Sequence, residues 1–243
     1  MRLGIFGRGR LAQAIASAAE GSETDVAWLL GHDEAPRAAV DMALDASAAP
    51  ALAGHLAWAL ETGTDLVIGS TGWDPALLDA ARARGDSLGM GILVAPNFSI
   101  GVAFMRRAAL ALGRLAALEP GADLGILERH HRAKRDSPSG TARLLSTALA
   151  EGCPRYAKDP VPIASLRLGA EVGYHELRLE TDHEALVLSH SAKDRGIFAL
   201  GALASLAWLH GKKGVFSFDD FAQELIEPLF APPQTGPRPG RKP

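Results

Sequence analysis

Up to Phe98, short apolar runs alternate with alanine-rich stretches whose apolar positions recur at helical spacing, the pattern of a parallel α/β sheet. The runs Arg2 to Phe6, Asp25 to Leu30, Val40 to Leu44, Leu66 to Gly69 and Gly91 to Ala95 predict strands. Between them, Leu11, Ile15 and Ala18 share a helical face, and Ala51 to Leu60 predicts a helix that Gly63 can end. Asp74-Pro75 offers an N-cap followed by proline at the first helical position.

After Pro96-Asn97-Phe98-Ser99 the pattern changes. A long helix from Val102 to Leu118 stops at Glu119-Pro120-Gly121, and strand-like segments then dominate: Asp123 to Glu128, Pro162 to Leu168, Glu176 to Glu180 and Ala185 to Ser191. One helix, near Ser139 to Ala150, interrupts them, so a second, α+β domain with a mostly antiparallel sheet is expected. An apolar helix from Phe198 to His210 leads into Val215-Phe216-Ser217-Phe218, which is expected to return to the first domain. The proposed division is 1–98 with 196–231 for a Rossmann-type dinucleotide-binding domain, and 99–195 for substrate binding and oligomerisation. The tail, 232–243, has nothing apolar to bury and is expected to be disordered.

Composition narrows the partners. A net charge of −3 provides no positive field for nucleic acid or for an anionic membrane, which leaves small molecules. No apolar run is long enough to span a bilayer, and the start of the chain does not read as a signal peptide. The single cysteine, Cys153, is what a reducing compartment permits, so a cytoplasmic location is expected; no activating neighbour marks it as a nucleophile. Trp28, Trp58, Trp73 and Trp208 read as core or interface, and His55, His183 and His210 as surface or structural residues.

Gly7-Arg8-Gly9-Arg10-Leu11-Ala12 matches G-x-G-x-x-A directly after the first strand and at the opening of the first helix. There the glycines let the backbone approach a pyrophosphate, and free N–H groups at the helix start face the anion. The competing reading, a tight turn that binds nothing, is disfavoured by this position in the β/α alternation. An acid about 20 residues on holds the ribose of NAD. Asp33 and Glu34 stand near that place, while Arg8, Arg10 and His32 are available to a 2′-phosphate. NADH and NADPH both remain open, with a lean towards NADH.

The most informative stretch runs from Glu128-Arg129-His130-His131 through Lys134 to Asp136-Ser137-Pro138-Ser139-Gly140-Thr141-Ala142, from the end of a strand to the start of a helix. Two histidines, a lysine and the exposed N–H groups of Ser139, Gly140 and Thr141 suit an acidic small molecule that must also exchange a proton. As a zinc site it is poor, because neighbours in a strand point to opposite faces and no Cys or third His follows at ligand spacing. A solvated charged loop is the remaining alternative.

These strings, with Gly69-Ser70-Thr71-Gly72, Ala95-Pro96-Asn97-Phe98-Ser99, Arg167-Leu168-Gly169 with Gly173 and His175, and Ser189 to Arg195, resemble the 4-hydroxy-tetrahydrodipicolinate (dihydrodipicolinate) reductase family, in order from Gly4 to about Phe221. The resemblance implies NADH- or NADPH-dependent reduction of a cyclic dicarboxylate imine in the diaminopimelate route to lysine, in a homotetramer built through the substrate-domain sheets, with no metal. It casts His130 as the general acid/base and Lys134 as a catalytic-site ligand of a substrate carboxylate. Ser139, Gly140 and Thr141 would bind the anion, with His131 and Arg195 as further substrate contacts. Gly7, Arg8, Gly9, Arg10, Leu11, Asp33, Gly69, Ser70, Thr71, Ala95, Pro96, Asn97 and Phe98 would serve the cofactor. Arg129 stands where small residues are common in the family. Another two-domain dehydrogenase acting on a different small acid is the alternative.

Overall fold

The computed structural model describes residues 1–31, 34–36 and 38–231. His32, Asp33 and the tail 232–243 lie outside the described residues, and so do the expectations placed on them. The strands β1 (Arg2–Phe6), β2 (Asp25–Leu30), β3 (Met42–Asp45), β4 (Asp65–Ile68), β5 (Gly91–Val94) and β10 (Gly214–Ser217) form one sheet in the order β10-β5-β4-β3-β1-β2. Every pairing in it is parallel.

Strand alternation explains why both faces are covered. Leu3 and Ile5 of β1 point to one side with Met42, Leu44, Val67 and Leu93, where α1 (Arg10–Ala19), α6 (Gly196–Leu209) and α7 (Phe218–Phe230) add Ile15, Leu206 and Phe221. Phe6, Ala43, Leu66, Ile68 and Ile92 point to the other, against Leu56 and Ala59 of α2 (Leu52–Thr62) and Ala81 of α3 (Asp79–Arg84). Gly63 ends α2 in the left-handed conformation at φ 69°, as its sequence position predicts.

The second sheet has the order β7-β6-β8-β9, from β6 (Asp123–His130), β7 (Ile163–Arg167), β8 (Gly173–Glu180) and β9 (Ala185–Ala192). It is mixed, which corrects the expectation of a mostly antiparallel sheet: β6 pairs β8 antiparallel, and β8 pairs β9 likewise, but β6 pairs β7 parallel. The reason is α5 (Gly140–Gly152), read in the sequence as an interruption; a helix between two adjacent strands is the crossover that a parallel return requires. The inner face of the sheet packs Leu124, Ile126, Leu177 and Leu179 against α5 and α4 (Ile100–Leu118). These two helices approach so closely that a Cβ on Gly113 would lie 2.2 Å from the Leu149 carbonyl oxygen.

α7 goes beyond the sequence reading, which placed no helix after Val215-Phe216-Ser217-Phe218. Its signal is local. Ser217 caps the helix and Asp220 reaches back to the Ser217 N–H, a capping box, while Pro228 sits inside the helix near its end. No described helix is long and apolar enough to cross a membrane.

Candidate active site

Two groups of loops face each other. The first lies at the carboxyl ends of the parallel strands, where open α/β sheets take ligands. Gly7 turns there at φ 112°, and a Cβ on it would press 2.5 Å from the Ala46 carbonyl oxygen, so the tight turn needs glycine. Gly9 caps α1 with open space around its Cβ position, and Arg10 begins the helix, so backbone and N–H groups are accessible where a pyrophosphate would lie. Leu11 packs partly into the core beneath.

Arg8 does not extend freely. Its Nη2 donates to Glu34 Oε1 at 2.9 Å and its Nε to the Leu29 carbonyl at 3.3 Å, while Glu34 Oε2 also accepts from the Gly31 N–H at 2.6 Å. The acid seen at the end of β2 is therefore Glu34, held against the glycine turn.

A buried carboxylate that the sequence reading passed over ties the neighbouring loops together. Asp45, fully buried at the end of β3, accepts from the Ser47 N–H at 2.9 Å and the Ser70 hydroxyl at 2.9 Å. Burial works to raise its pKa, but hydrogen bonds from His55, Ser47 and Ser70 outweigh it and leave the pKa lowered. The Asp45 carbonyl accepts from the Gly69 N–H at 2.8 Å, and a Cβ on Gly69 would strike the Phe98 ring at 2.7 Å. Thr71 and Pro96 are exposed beside this seam, and Ala95 and Phe98 are buried in it.

The second group begins where β6 ends. Glu128 and His130, two apart on a strand, share the inner face, and the pairing register sets Arg167 of β7 beside His130 and His175 of β8 beside Glu128. His130 Nδ1 lies 2.5 Å from Glu128 Oε2. Glu128 Oε1 accepts from Arg167 Nη2 at 2.6 Å and from the Ser139 N–H at 3.3 Å. Burial would raise the Glu128 pKa, but the hydrogen bond and charge of Arg167, with the charge of His130, reverse the sign and hold it at about 2. For His130, burial lowers the pKa and Glu128 opposes it, with Lys134 and Arg167 pushing further down; the net is a lowered value. His175, with Nε2 3.3 Å from the Ser139 hydroxyl, is lowered to about 4, chiefly by burial.

Glu128, His130 and His175 also bring donor atoms within 4.8 Å of one another, the one such group of three or more found among the described residues. The third member comes from another strand, which spacing along the chain could not show. Both Glu128 oxygens already serve His130, Arg167 and Ser139, and two cations, Arg167 and Lys134, stand close by, so the cluster is built as a hydrogen-bond network.

Ser139 caps α5, its hydroxyl accepting from the Ala142 N–H at 3.1 Å. Ahead of it, Lys134 Nζ meets Asp136 Oδ1 at 2.8 Å, and Asp136 Oδ2 accepts from the Gly140 N–H at 3.3 Å. Thr141 links the two groups of loops: Asn97 Nδ2 donates to its hydroxyl at 3.4 Å. His131 is half-buried, its backbone N–H bound to the Glu171 carbonyl, and Arg195 occupies the cap of α6; neither side chain is tied into the Glu128 network. Arg129, unexplained by sequence, points to the opposite face, where it lies over the Tyr174 ring at 4.1 Å and meets Glu171 at 3.2 Å. Strand period was the signal that could have found Glu128; Arg167 and His175 needed the sheet register.

The family model described as "Dihydrodipicolinate reductase, N-terminus" matches residues 13–98, and that described as "Dihydrodipicolinate reductase, C-terminus" matches residues 100–222. The 4-hydroxy-tetrahydrodipicolinate reductase of Myxococcus xanthus (strain DK1622) is 34% identical over 225 residues, 81% of this chain and 80% of that protein. The enzyme of the same name from Gluconobacter oxydans (strain 621H) is 37% identical over 194 residues, 74% of this chain and 76% of that protein. Among solved structures, a dipicolinate-bound dihydrodipicolinate reductase from Paenisporosarcina sp. TG-14 shares the fold, with a TM-score of 0.77 over 90% of this chain and 98% of that chain at 22% identity.

Proposed function

The chain belongs to the dihydrodipicolinate reductase family, and from that premise we propose that it reduces 4-hydroxy-tetrahydrodipicolinate to tetrahydrodipicolinate, in the diaminopimelate route to lysine, with His130 supplying the proton. The observation that carries the site reading is Asp136. Its carboxylate spans Lys134 Nζ and the Gly140 N–H, so the place between lysine and helix start accepts a carboxylate of this chain and suits one of a substrate. Lys134 and the N–H groups of Gly140 and Thr141 then fix the dicarboxylate by charge and hydrogen bonds, the Ser139 N–H being given instead to Glu128.

The glycine turn fits a dinucleotide, given the open Cβ position of Gly9 and the closeness at Gly7. Bound there, a reduced pyridine nucleotide supplies the hydride. The loops at Gly69 to Thr71 and Ala95 to Phe98 would flank its ring, and Asn97 holds that wall to Thr141 of the substrate loop. His130 donates to the ring carbon that gains the proton. Burial disfavours its charged form in the free enzyme, and the negative charge of a dicarboxylate beside it favours that form. Arg195 and His131 would complete the substrate's surroundings.

The reading includes a homotetramer assembled through the outer face of the second sheet, where Leu166 and Val187 are 47% and 51% exposed. A cytoplasmic setting agrees with a lone cysteine that is buried. A coupled assay tests the activity: substrate made by condensing pyruvate with aspartate semialdehyde should cause loss of reduced-cofactor absorbance. Turnover of a simple oxo acid with ammonia instead would overturn it.

A further inference from the structure

We infer that Glu128 and Arg167 form a positioning pair for His130, with the carboxylate fixing which ring nitrogen faces the substrate and the guanidinium holding that carboxylate in place. The inference rests on the role proposed above for His130.

Glu128 cannot touch a substrate itself: it is fully buried, and its two oxygens are divided between His130 Nδ1 on one side and Arg167 Nη2 with the Ser139 N–H on the other. An ionised carboxylate only accepts, so the Nδ1 that meets it carries the proton. Nε2 is left as the exchanging atom. It lies against Gly173, where a Cβ would come to 3.1 Å of it, so glycine at this strand position keeps a side chain off Nε2. After Nε2 gives up its proton, the Nδ1–H bond to Glu128 persists, and the ring stays in the tautomer and orientation needed for the next cycle.

Arg167 comes from the strand that pairs β6 in parallel, directly opposite His130. Without it, the burial of the carboxylate would be opposed by His130 and the Ser139 N–H, which keep it charged but less firmly placed. The charged and titratable groups around His130 are Glu128 on its own strand, Arg167 on β7, Lys134 with Asp136 on the following loop, and His175 on β8. His190 on β9 stands behind His175 in register. Glu128 is the only one of these that contacts the His130 ring nitrogen as a hydrogen-bond partner.

The two members of the pair act on His130 with opposite sign: the carboxylate favours the imidazolium, the guanidinium disfavours it. The test is the pH profile of kcat/KM, whose alkaline limb reports deprotonation of the acid in the free enzyme. Glu128→Gln should lower kcat by about 100-fold or more, the order seen when a histidine loses the carboxylate that sets its tautomer, and should move the alkaline limb to lower pH. Arg167→Met should move it to higher pH. Glu128→Asp keeps the charge, so it should return the limb towards its wild-type place while kcat stays reduced by the misplaced ring. Should Glu128→Gln not fold, Glu128→Asp and Arg167→Met carry the test, with cofactor affinity as the control for an intact first domain. Limbs that stay at the wild-type pH, or move the same way in both variants, would overturn the pairing. A wild-type chain with no turnover would overturn the functional reading instead.

Discussion

Replacing His130 with alanine would remove the proposed proton donor and leave the glycine turn, at the end of the other sheet, untouched. His130→Ala should therefore lower kcat by about 10²–10⁴ with cofactor affinity unchanged, the range expected for loss of a general acid. A variant within threefold of wild type would remove His130 from the mechanism. Lys134 acts through charge at a half-buried position, 25% exposed and already facing a carboxylate. Lys134→Ala should raise KM for the dicarboxylate, and a loss of about 2–3 kcal/mol corresponds to roughly 30- to 150-fold. Steady-state kinetics with varied substrate decides it; saturation at the wild-type concentration would place the lysine outside the site.

At the scale of elements, cofactor choice is expected to be set where β1 and β2 end. The Arg8–Glu34 pair joins the glycine turn to the strand-two loop at 2.7 Å, with both side chains well exposed at 56% and 42%. An exposed pair of this kind is worth no more than about 1 kcal/mol, so a 2′-phosphate can draw Arg8 away at small cost, while a ribose 2′-hydroxyl finds Glu34 as its acceptor. The expected result is use of NADH at least as well as NADPH, with a kcat/KM ratio below about 10, and a shift towards NADPH in Glu34→Ala. Measuring both cofactors against both proteins checks it; a wild-type preference for NADPH above about tenfold, roughly 1.4 kcal/mol, would mean that the arginines of the turn dominate. At this scale the sequence was most legible in β1 to β5, whose short apolar runs announce themselves. It was least legible in α7, whose capping signal follows a strand so closely that the two read as one.

For the whole molecule, the second sheet presents one face to α4 and α5 and the other to solvent in a single chain. On that outer face Val187 pairs across with Arg178, and Arg129 stacks on Tyr174. Covering such a face with copies of itself removes exposed apolar surface. The wild-type protein should run as a tetramer in light scattering. Val187→Arg, which sets a like charge beside Arg178, should shift it to smaller species. A monomeric wild type would remove the assembly from the reading.

By itself the sequence determined the alternation of strands and helices, the glycine turn and the residue types proposed to meet an acidic, proton-accepting substrate, because each is written in spacing over a few residues. Tertiary structure decided what spacing cannot express. The direction of β7 depends on where the chain returns after α5, and the partnership of Glu128 with Arg167 and His175 depends on register between strands far apart in the chain. A local pattern fixes which face a side chain takes; only the packed sheet fixes whose side chain it meets.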